Sequence, residues 1–63
     1  MSIGSNIKDK RLALDMTQIE LADKIGITQS MLCQIERGTK APSLPLSAEI
    51  AQFLGCKVED LMD

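Results

Sequence analysis

The segment QIELADKIGITQSMLCQI, residues 18–35, carries Ala22, then Gly26 four residues on, then Leu32 six after that. Where two helices cross near a right angle after a turn of three or four residues, the first needs a small side chain at the crossing, and Ala22 supplies it. Gly26 can take the left-handed backbone conformation that ends the first of these helices and opens the turn. Leu21, Ile25, Leu32 and Ile35 fall at helical spacings that put all four on the inner faces of the pair. Gln29, Ser30, Cys33 and Gln34 are left facing outward on the second helix.

Working outward, the signals for where each helix starts and stops extend the same arrangement. Thr17-Gln18-Ile19-Glu20 is a capping box, in which the Thr17 hydroxyl accepts from the Glu20 amide while the Glu20 carboxylate reaches back to the Thr17 amide. Thr28 can cap the next helix, which runs over residues 28–37, and Gly38 follows Glu36 and Arg37 where a left-handed terminator belongs. A helix-turn-helix motif is therefore expected over residues 17–37. Before it, Ile3, Ile7 and Leu14 share about one helical face, with Lys8, Lys10 and Arg11 between them, which predicts a first helix over residues 3–14 with Asp15 and Met16 as its exit. After it, Thr39-Lys40-Ala41-Pro42-Ser43 reads as a loop. Ser43 can cap a fourth helix through Leu46, Ile50, Ala51 and Leu54, which Gly55 ends. Val58 to Met62 is long enough for one short turn of helix whose Val58 and Leu61 can close the core. The fold class expected is all-α, a compact bundle of five helices.

Sixty-three residues hold one small domain, so residues 1–63 are expected to form a single unit with no room for a separate catalytic domain. A domain of this size buries roughly 60% of its unfolded surface, which keeps oligomerisation open as a source of stability. The 25% charged and 44% hydrophobic content is that of an ordinary globule. No apolar run approaches a membrane span and the amino terminus lacks the order of a signal peptide, so a cytoplasmic protein is expected. Cys33 and Cys56 lie 23 residues apart in a chain without histidine. That excludes a usual zinc site and, in a reducing compartment, predicts two free thiols. Neither a cofactor nor a small-molecule ligand is expected. With no glycine-rich phosphate loop and no nucleophile beside a base, an enzyme is not expected either.

The chain resembles the lambdoid phage repressor and Cro (XRE) family of helix-turn-helix domains, and within it the 434-type branch. The resemblance is carried by Ser2-Ile3-Gly4-Ser5 and Lys10-Arg11 in the first helix, and by Thr17-Gln18 with Glu20-Leu21-Ala22 opening the second. Thr28-Gln29 opening the third and Ile35-Glu36-Arg37-Gly38 closing it complete the match. The resemblance implies a lambda-repressor-like five-helix fold, encoded by a bacterium or a phage. It also implies binding of operator DNA as a symmetric homodimer, at least on DNA, with the third helix in the major groove. The function expected is sequence-specific recognition of double-stranded DNA by a transcriptional regulator, a repressor acting on a palindromic operator.

Side-chain chemistry supports that implication. Glutamine presents a donor and an acceptor side by side and can bond adenine through N6 and N7. Gln29, at the amino end of the third helix, and Gln34, five residues on, are therefore candidates for base contacts, with Ser30 able to bond a base edge or a phosphate. Thr17, Gln18 and Thr28 sit at helix amino ends, where free amides and the helix dipole favour a phosphate. In related domains the glutamine in the place of Gln18 also braces the glutamine that opens the next helix. Arg37 and Lys40 are candidates for phosphates on the far side of the groove. The resemblance further implies an ion pair between Arg11 and Glu36 across the first and third helices, with Arg11 still able to offer a free donor to a phosphate.

The net charge of −2 runs against nucleic-acid binding. Its distribution softens this: residues 1–41 hold six basic and five acidic groups, and residues 42–63 hold one and four. Few phosphate contacts predict a shallow salt dependence. The chain departs from the family where Lys57 stands in place of a capping serine, and where Ala41 and Ser43 stand in a loop that is basic in the 434 branch. The alternative function is a protein-interaction module that keeps the fold and has lost DNA binding. The dimer contact is expected around the loop after Gly38, the fourth helix and the carboxyl end, where Leu44, Leu46, Phe53, Leu61 and Met62 offer apolar surface.

Overall fold

A computed structural model describes residues 2–62 and places them in five helices: α1 (Ile3–Ala13), α2 (Gln18–Ile25), α3 (Gln29–Arg37), α4 (Leu44–Leu54) and α5 (Val58–Met62). Among the described residues there is no strand, and no helix is long and apolar enough to cross a membrane. Each helix start follows its local chemistry. The hydroxyls of Ser2, Thr17, Thr28 and Ser43 accept from the backbone amides of Ser5, Glu20, Met31 and Leu46, so four helices are capped by the residue before them. α5 begins differently: the Lys57 side chain has no acceptor for a first-turn amide, and only the reverse bond of a capping box is made, the Lys57 amide donating to Asp60 Oδ2 at 3.0 Å. α2 ends at Gly26 with φ +76°, a conformation that costs a glycine nothing and lets the chain turn at once into α3.

Ile7 of α1, Leu21, Ala22 and Ile25 of α2, Leu32 and Ile35 of α3, Ile50, Ala51 and Leu54 of α4, and Leu61 of α5 make one core. α1 packs on α3 and α5, while α2 packs on α3 and α4, so α3 is held from both sides. The Asn6 side chain, buried in α1, donates through Nδ2 to the Leu61 carbonyl at 2.9 Å and ties the first helix to the last.

Two expectations are corrected. Leu14 is 51% exposed, because α1 stops at Ala13 and Asp15 takes φ +58°, turning the chain before another inward position is reached. The apolar surface expected for a dimer is also smaller and split. Leu61 is fully buried, Leu46 is half-buried against the core, and only Leu44, Phe53 and Met62 are exposed. Leu44 and Phe53 are nine residues apart, so they lie on opposite flanks of α4, about 13 Å apart along its axis.

Candidate nucleic-acid interface

The dipeptide Thr-Gln opens both α2 and α3, and its two copies have different surroundings. At Thr17-Gln18 the capping box is complete: Thr17 Oγ1 accepts from the Glu20 amide at 3.1 Å, and Glu20 Oε1 accepts from the Thr17 amide at 2.8 Å. The Thr17 amide first, and the Thr17 side chain second, hydrogen-bond the Glu20 carboxylate and hold its carboxyl below the ordinary value, and Lys24 adds to the effect. The positive end of the α2 dipole therefore already faces a carboxylate. At Thr28-Gln29 the Thr28 hydroxyl accepts from the Met31 amide at 3.0 Å, and the first turn of α3 contains no acid. The positive end of α3 is uncompensated.

Ser30, Gln34 and Arg37 are exposed on α3, opposite the buried Leu32, Ile35 and Glu36, and Gln29 is exposed at the helix start. At 100° per residue, Ser30, Gln34 and Arg37 fall within a sector of about 60°, with Gln29 about 80° round from Arg37 at the helix start. Cys33, half-buried, lies between Gln29 and Arg37. Lys40 is exposed in the loop, and its backbone amide donates to the Gln34 carbonyl at 3.3 Å, which keeps the loop against the end of α3. The side chains of Gln29, Ser30, Gln34, Arg37 and Lys40 have no hydrogen-bond or ionic partner among the described residues. Ser30, Gln34 and Arg37 are thus gathered on one accessible polar face, with Gln29 exposed at its amino end. Thr17 and Thr28 serve as caps, and the Thr28 hydroxyl, which accepts from the Met31 amide, keeps its own hydrogen to donate.

Behind that face lies the expected ion pair. Arg11 Nε donates to Glu36 Oε2 at 2.8 Å and Nη2 donates to Oε1 at 3.0 Å, with both side chains nearly excluded from solvent. Arg11 Nη1 donates to the Met16 carbonyl at 2.7 Å. Each guanidinium nitrogen thus has a partner inside the protein, and the N–H groups left over are one on Nη1 and one on Nη2, on a side chain only 6% exposed. Gln18 completes the network, its Nε2 donating to Glu36 Oε1 at 3.1 Å. The brace runs from Gln18 to the end of α3 rather than to Gln29.

The spacing signals did not reveal the role of Gly4. A Cβ at this position would collide with the Ile35 carbonyl oxygen and lie 2.9 Å from that of Glu36, so α1 meets the last turn of α3 backbone to backbone. A glycine inside a helix costs about 1 kcal/mol against alanine, and that cost was the available signal of a close contact.

Comparison with known proteins matches this geometry. A family model described as helix-turn-helix matches residues 7–61. The chain is 39% identical over 57 residues to an uncharacterised HTH-type transcriptional regulator of Methanocaldococcus jannaschii, covering 90% of this chain and 86% of that one. It is 36% identical over 62 residues to the immunity repressor protein of Bacillus phage phi105, covering 98% of this chain and 43% of the repressor. Among solved structures it is similar to SinR, a master regulator for biofilm formation, in complex with DNA. That match has a TM-score of 0.90 and 34% identity, and covers 97% of this chain and 98% of that one. With its five helices, its capped turn at Gly26 and these relatives, the chain belongs to the XRE-type helix-turn-helix family.

Proposed function

We propose that this protein binds double-stranded DNA sequence-specifically as a transcriptional regulator and acts as a repressor, with α3 in the major groove. The observation that carries this is the division of α3 into two faces. One is locked by Leu32, Ile35 and Glu36, and the other presents Ser30, Gln34 and Arg37, with Gln29 exposed at the helix start, all four without partners among the described residues. Gln29 and Gln34 would read adenines and Ser30 a base edge or phosphate. Thr17, Gln18, Thr28, Arg37 and Lys40 would hold the backbone, and Gln18 would do so with its remaining N–H. The similarity to a DNA-bound regulator over nearly the full length of both chains supports the DNA partner. Residues 1–63 would act as one DNA-binding unit working in the cytoplasm, encoded by a bacterium or a phage.

The regulator would bind as a homodimer. Two α3 helices about 34 Å apart read successive turns on one face of the duplex, which calls for a palindromic site. Leu44 on one flank of α4, or Phe53 on the other, with the exposed Met62, would supply apolar surface for such a contact. Selection of bound sequences from a random double-stranded pool at low and moderate salt tests the proposal. A palindrome with half-sites about one helical turn apart is the expected result. No enriched motif at either salt would overturn it in favour of a protein-interaction module.

A further inference from the structure

We propose that Glu36, buried in the seam between α1 and α3, is a positioning residue for the DNA contact made by Gln18; this rests on the DNA-binding function proposed above. The Glu36 side chain is only 2% exposed, so it is not itself placed to touch DNA. Its carboxylate is fixed from α1: Arg11 donates to both oxygens, and Arg11 is in turn anchored on the Met16 carbonyl in the link to α2. A salt-bridged carboxylate only accepts hydrogen bonds.

An amide facing such a group has one satisfactory orientation, with the nitrogen toward the carboxylate and the carbonyl oxygen away. The bond from Gln18 Nε2 to Glu36 Oε1 at 3.1 Å therefore sets both the side-chain torsions and the flip of the Gln18 amide. Nε2 carries a second hydrogen, and that hydrogen is the donor left for a phosphate oxygen at the start of α2. A free glutamine must be ordered when it binds, at an entropic cost. Gln18 is ordered on folding, whereas Gln29 has no comparable anchor among the described residues. The network Arg11–Glu36–Gln18 thus links the packing of α1 on α3 to the placement of a phosphate donor on α2.

The test is a double-mutant cycle on affinity for the selected DNA site. Arg11→Met with Glu36→Met removes the carboxylate without leaving a buried charge. Gln18→Ala should weaken binding about tenfold in the wild-type background and less than about threefold in the paired variant, since residues in one network couple. An equal loss in both backgrounds would overturn the positioning role alone. Absence of selective binding by the wild-type protein would overturn the proposed function, and the positioning role with it. Should the paired variant fail to fold, side-chain NMR relaxation of the wild type decides the matter. The Gln18 NH2 group should be more ordered than those of Gln29 and Gln34 before DNA is added, and equal mobility would overturn the proposal.

Discussion

Thr17-Gln18 and Thr28-Gln29 are the same dipeptide in the same local role, yet one glutamine is tied to a buried carboxylate and the other has no partner among the described residues. The difference does not come from the dipeptide. It comes from what lies behind it: α2 starts beside the last turn of α3, where Glu36 is held by Arg11, whereas Gln29 starts at the open end of the turn after Gly26. A side chain that is ordered in advance suits a fixed target such as a phosphate. One left mobile suits a base edge that differs from site to site. In the proposed function, α2 places the protein on the duplex and α3 reads it.

The largest effect expected on this contrast is from Glu36→Ala. It leaves the Arg11 guanidinium buried and unpaired and should cost about 3–5 kcal/mol of stability in urea unfolding. A loss below about 1 kcal/mol would place the pair with ordinary surface bridges. Gly4→Ala strikes the same seam from the other side, since its Cβ meets the Ile35 and Glu36 carbonyls, and should cost about 1–3 kcal/mol as overpacking does. Gln29→Ala should leave the melting temperature unchanged and weaken specific DNA binding by about 1–3 kcal/mol, measured by titration of a labelled site.

The caps should give smaller effects. Thr17→Ala and Thr28→Ala each remove one bond to a first-turn amide and should cost about 1 kcal/mol of stability. Acid should separate them further. The Glu20 carboxyl titrates below its ordinary value of 4.5 in the folded protein, so its contribution is present above that value and is lost as pH falls through the lowered one. Stability curves of the wild type and Glu20→Gln should therefore converge as pH drops below about 4.5, and parallel curves would show that the capping box does not titrate.

What could be read from the sequence was mostly what is local. The capping box at Thr17, the turn at Gly26 and the inward set Leu21, Ile25, Leu32 and Ile35 depend on residues within one or two turns of each other, and all stand as expected. Leu14 failed because helical periodicity carries no information on where Asp15 will turn the chain. Leu61 allowed two readings, core or dimer surface, and burial decides for the core because Asn6 pulls α5 onto α1. The bond from Gln18 to Glu36 joins residues 18 apart in sequence through the crossing of two helices, a relation no spacing rule contains. The candidate readers Ser30 and Gln34 were legible as a polar stripe and Gln29 as an exposed helix start, since both are local patterns.

The most direct test repeats the random-pool selection with Gln29→Ala and Gln18→Ala beside the wild type. The division of labour predicts that Gln29→Ala loses base preference at one position of each half-site, while Gln18→Ala recovers the wild-type motif with uniformly weaker binding. If both variants returned the wild-type motif, or both lost preference at the same position, α2 and α3 would not have the separate roles assigned to them.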